Sequence, residues 1–177
     1  MRTALFLSLI MCFEINAQSF GQNKVQYKVF DWNYIQTSHF DIYYYDGEQD
    51  LAEFVADVAE DSYEQISIHL RWNLKNRVSI MVYNSHNEFQ QTNIVRPYMR
   101  EGIGGVTELF KNRVVFPFEG NYEQFRHVIH HELVHAMIND MIYGGRMQNI
   151  ISSRAKIRVP IWSNEGLAEY LSSNWDT

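Results

Sequence analysis

The spacing of apolar residues changes abruptly several times along the chain, and each change predicts an element. Phe40-Asp41-Ile42-Tyr43-Tyr44-Tyr45 is dense in aromatic and β-branched residues and predicts a strand, ended by the turn signal Asp46-Gly47. Across residues 50–72 the apolar positions are Leu51, Phe54, Val55, Val58, Ala59, Ile66 and Leu70, mostly three or four apart. That period predicts a long amphipathic helix. Its outer face carries Glu53, Asp57, Glu60, Asp61 and Glu64, which reads as solvated surface rather than a binding patch. Residues 77–83 predict the next strand. Residues 85–91 predict a short helix, with Ser85 as cap and Glu88 three positions on.

Gly102-Ile103-Gly104-Gly105-Val106 reads as a flexible lead into a hairpin, with Arg113-Val114-Val115-Phe116 as the returning strand. Pro117 removes a backbone donor, which places the 113–116 strand at or near a sheet edge, at least at that end, and Val114 to Phe116 is expected to form the edge strand bordering the cleft. Residues 121–143 predict a second long helix, stopped by Gly144-Gly145. A loop through Pro160 leads to a third helix beginning near Ser163. The order of strand, helix, strands, helix, helix gives an α+β fold class, with no repeat or low-complexity tract.

The chain has 177 residues, of which 46% are hydrophobic and 15% aromatic, enough for one domain with its own core. The formal net charge of -6 argues against a nucleic-acid partner, which calls for a basic face. At the start, Arg2 precedes an apolar run over residues 4–13, and Ile15-Asn16-Ala17 supplies a small residue. This is the order of a secretory signal, with cleavage expected after Ala17. The run is too short to span a bilayer as a helix, so no stable membrane span is expected after cleavage. The expected product is exported, periplasmic or extracellular. Cys12 is the only cysteine and lies inside the signal; Met11 before it is not small, so no lipid anchor is expected. The mature chain would then hold no disulfide. Residues 18–28 read as a polar lead-in and residues 29–177 as the domain.

The chemistry concentrates in His131-Glu132-Leu133-Val134-His135. On a helix, residues four apart lie one above the other on one face. Two imidazoles so placed can hold one Zn²⁺ at about 2.0–2.1 Å each. Glu132 points beside the metal and can take a proton from water there. A catalytic zinc site wants a third protein ligand and an open fourth position. The version with a third histidine, HExxHxxGxxH, is excluded because Ile138 and Met141 occupy the glycine and histidine positions. The other version takes a glutamate from a following helix, and Glu165, with 29 residues between it and His135, supplies one.

HELVH followed by Asn164-Glu165-Gly166-Leu167-Ala168-Glu169-Tyr170 resembles the gluzincins, the glutamate-ligand zinc peptidases that include thermolysin-like peptidases and related aminopeptidases. The nearer resemblance is to the peptidase-MA-like domain of exported bacterial proteins, often followed by a TolB-like β-propeller. The specific motifs span roughly residues 125–170. The resemblance implies a zincin-like N-terminal subdomain, a mixed twisted sheet with long helices including the HExxH helix. It implies His131, His135 and Glu165 as zinc ligands, Glu132 as catalytic base, and a peptide or protein substrate. It also maps onto Glu169 an acid that orients a ligand histidine. Spacing alone puts Glu165 and Glu169 on one helix face, where Glu169 can accept the free N–H of a ligand imidazole. Gluzincins usually continue into a second subdomain that walls the cleft, and the expectation here is that the chain stops short of it.

Plain alternatives are ordinary helix histidines at 131 and 135, a dipole-favoured acid at 165 and a surface acid at 169. His127 sits four before His131 and could extend the ligand row, but reads first as a residue over the cleft. At the level of function, the alternative is a non-catalytic zinc-binding or protein-interaction domain of the cell envelope. A purely structural zinc site has no use for Glu132 and usually employs cysteines, which favours the peptidase.

Overall fold

A computed structural model describes residues 24–45, 47–93, 102–108, 112–144 and 159–173. The expected signal segment at 1–17, the first part of the lead-in and most of the loop before Pro160 lie outside the described residues. Among the described residues, no helix is long and apolar enough to cross a membrane.

Among the described residues five strands form one mixed sheet: β1 (Asn33–Gln36), β2 (Phe40–Tyr44), β3 (Val78–Tyr83), β4 (Val106–Glu108) and β5 (Arg113–Pro117), in the order β1-β2-β3-β5-β4. The three central strands are parallel, and β1 and β4 run antiparallel at the two edges. Among the described residues four helices accompany them: α1 (Gln49–Leu70), α2 (His86–Phe89), α3 (Tyr122–Tyr143) and α4 (Ile161–Ser173). The α+β class therefore holds.

Strand alternation divides the side chains into two layers. Phe40, Ile42, Ile80, Val82, Val114 and Phe116 are fully buried with α1 and α3 on one face. Met81, Tyr83, Val115 and Val106 face the other way, covered by Phe30, Trp32, Tyr45 and Phe89. Each fully buried Val, Ile or Phe side chain contributes about 1.5–3 kcal/mol.

The edge assignment for β5 is a correction. This strand lies inside the sheet, between β3 and β4, and β4 holds the edge. Val114, Val115 and Phe116 are all fully buried, the pattern of a strand covered on both faces. Pro117 is tolerated for a local reason. Phe118 donates its N–H to the Tyr83 carbonyl at 2.7 Å, so the residue before it faces β4, beyond the last pair Val106↔Val115. The missing donor thus points where the ladder has already ended.

Both long helices end on left-handed residues. Arg71 (φ 50°) and Trp72 close α1, donating to the carbonyls of Ile68 and Ser67. The Trp72 indole then donates to Asp140 Oδ2 at 3.0 Å, and the Lys75 N–H donates to the same oxygen at 3.0 Å. Fully buried Asp140 thereby ties the link between α1 and β3 to the end of α3.

Candidate metal centre

The helix α3 starts where Asn121 Oδ1 accepts from the N–H groups of Glu123 and Gln124, and stops at Gly144 (φ 62°). Phe125, Ile129, Leu133, Ala136 and Met137 are buried at helical spacing, which fixes the rotation of α3 over the sheet. That rotation turns His131 and His135 towards α4. The helix α4 packs on α3 through buried Ala168, Leu171 and Ser172 and so brings Glu165 and Glu169 to the same place.

His131 Nε2 and His135 Nε2 lie 3.2 Å apart. Glu165 Oε2 lies 3.5 Å from the first and 3.4 Å from the second. Three donors on a tetrahedral zinc at about 2.0–2.1 Å should lie about 3.3–3.4 Å from one another. The triangle therefore has a size and a nitrogen–nitrogen–oxygen donor set that could hold a divalent metal ion such as zinc. His135 is buried, His131 is partly buried and the Glu165 side chain is exposed, so one side of the triangle opens outward.

Glu132 lies against β4. Thr107 Oγ1 is 2.6 Å from Glu132 Oε2 and 3.0 Å from the Glu132 backbone carbonyl. The glycines before β4 permit this approach. A Cβ on Gly105 would stand 2.8 Å from Glu132 Cγ and 2.9 Å from the Phe116 ring, and one on Gly104 would stand 3.0 Å from Val128. Gly104 and Gly105 thus serve close packing, rather than the looseness their sequence suggests. Thr107 was not among the residues singled out from the sequence, and no motif marks a lone threonine on a three-residue strand.

Glu169 Oε2 lies 3.6 Å from His131 Nδ1, on the side of the ring away from Glu165. That is a position from which a carboxylate can orient the imidazole, just beyond direct hydrogen-bond reach. The same oxygen is 3.8 Å from His127 Nε2. His130 points elsewhere and is 2% exposed. Burial, with the neighbouring charges of His127, His69 and His131, holds its pKa down to about 4.

Comparison of the chain with known protein families, with curated proteins and with solved structures gives no match.

Proposed function

We propose that this chain is a zinc-dependent peptidase of the gluzincin type, with a zincin-like fold, acting on peptide or protein substrates after export. The observation that carries the reading is the His131–His135–Glu165 triangle, sized for zinc, with the Glu132 carboxylate one residue along the same helix. His131, His135 and Glu165 would hold the zinc ion, which when bound would supply Lewis acidity toward water and a peptide carbonyl. Glu132 accepts the proton of the attacking water and returns it to the departing amine. Thr107 holds one Glu132 oxygen by its hydroxyl, leaving the other for that exchange. Glu169 steadies His131 from behind.

The edge of the sheet supports a substrate path. Among the described residues β4 pairs only with β5, and Thr107 of β4 touches the proposed base. Its outer side can therefore offer backbone groups to an extended peptide by strand addition. The apolar start of the chain supports export.

The test is Glu132→Gln in the full chain, assayed for zinc content and for cleavage of a peptide library. Retained zinc with activity lower by several orders of magnitude is the expected result. Equal cleavage with glutamine at 132 would remove the base assignment. Zinc without cleavage in either protein would favour the non-catalytic reading.

A further inference from the structure

The donors of the proposed centre are repeated one helical turn away. His127 and His131 have the same four-residue spacing as His131 and His135, and Glu169 lies four residues after Glu165. One turn towards the start of α3 meets one turn towards the end of α4, so the second set is the first displaced along both helices. His127 Nε2 lies 3.8 Å from Glu169 Oε2, and His131 Nδ1 lies 3.6 Å from it. The three donor atoms all fall within 4.8 Å of one another. The side chains of His127 and Glu169 are 41% and 61% exposed, which leaves the set open to ions in solution.

We propose that His127, His131 and Glu169 form a second, weaker site for a divalent transition metal of the zinc class, sharing His131 with the first. The sharing constrains both sites. A neutral imidazole carries a proton on one nitrogen and a lone pair on the other. His131 therefore ligates through Nε2 in the first set or through Nδ1 in the second, and the two three-ligand sets exclude each other. The first set already has the spacing that tetrahedral zinc wants, whereas in the second both histidine nitrogens must draw closer to Glu169, from 3.8 and 3.6 Å. It is also the more exposed, so it holds the ion more loosely. Glu169 changes role with the ion's position: it faces the Nδ1–H when the first set is filled and binds metal when the second is. The second set is thus a capture position one turn outside the first.

The experiment uses the full chain with Glu165→Ala, which removes the exposed carboxylate of the first set, titrated with Co²⁺ and followed by its visible absorption. The expected result is residual one-to-one binding, weaker than in the unaltered chain. Adding His127→Ala or, separately, Glu169→Gln should weaken it by a further tenfold or more, on the order seen when a metal site loses a supporting group. Circular dichroism checks that each variant keeps its helices. Glu169→Gln also removes the carboxylate behind His131, so His127→Ala decides: an ion left on the His131–His135 pair alone would be insensitive to it, and that outcome overturns the proposal. The peptidase reading fails separately, if the unaltered chain binds Co²⁺ no better than the Glu165→Ala variant.

Discussion

The contact between Thr107 and Glu132 asks one proton to serve two acceptors. The hydroxyl reaches both a carboxylate oxygen and the backbone carbonyl of Glu132, at 2.6 and 3.0 Å. While Glu132 is ionised the proton belongs on the carboxylate, the stronger acceptor. Once Glu132 is protonated, Thr107 can accept from it and turn its own proton to the carbonyl. Thr107 thus suits both protonation states that a base must visit. Thr107→Val keeps the shape and loses the hydroxyl. It should leave zinc affinity unchanged and lower kcat/KM by about tenfold, on the order of 1.5 kcal/mol. Thr107→Ser should restore most of the loss, which a purely structural role for the methyl group would not allow. At this scale the sequence was legible where chemistry is local: HELVH names its own residues. It was mute about Thr107, because that contact exists only after β4 packs on α3.

Among the elements, legibility followed the range of the interactions. The ends of α3 could be read from Asn121 and Gly144 because capping acts within a few residues. The strand β1 could not: Asn33-Tyr34-Ile35-Gln36 has one half-buried residue, and only its pairing with β2 makes it a strand. The place of β5 was misjudged because Pro117 was weighed above three successive apolar residues, which are the stronger sign of an interior strand. Asp140 is a further long-range element contact, joining α3 to the α1–β3 link. Asp140→Ala would leave the Trp72 indole N–H and the Lys75 backbone N–H without their acceptor. The expected loss is about 3 kcal/mol, read as a lower urea midpoint. Asp140→Asn keeps an acceptor oxygen and should lose less.

For the molecule as a whole, the buried and paired ionisable groups predict sensitivity to acid. His130 titrates near 4 when folded, below its ordinary value near 6.5, because burial opposes its charge. The unfolded chain therefore binds a proton first, and stability falls as pH drops from about 6.5 towards 4, by on the order of 3 kcal/mol. A second stage follows at lower pH. Burial alone would raise the Asp41 carboxyl, but the hydrogen bonds from Arg77 and Gln36 outweigh it and hold Asp41 below the usual carboxylate range. Burial opposes the charge of Glu60 likewise, and the hydrogen bonds to His39 and Thr37 outweigh it. Depressed carboxylates stabilise the fold above their unfolded values and lose that contribution on acidification. Urea unfolding of the chelator-treated chain at a series of pH values should show both stages. In a His130→Gln variant the first stage should disappear.

The central claim is that two helices meet to hold one zinc ion through His131, His135 and Glu165. Separated by a long stretch of sequence, Glu165 reaches the histidines only because Ala168, Leu171 and Ser172 seat α4 on α3. Zinc X-ray absorption on the full chain loaded with one equivalent tests this most directly. The account predicts two imidazole nitrogens at about 2.0–2.1 Å, oxygen in the remaining positions and no sulfur. It also predicts that Glu165→Ala loses the carboxylate and most of the affinity. A spectrum with only one imidazole, or one unchanged by Glu165→Ala, would contradict it.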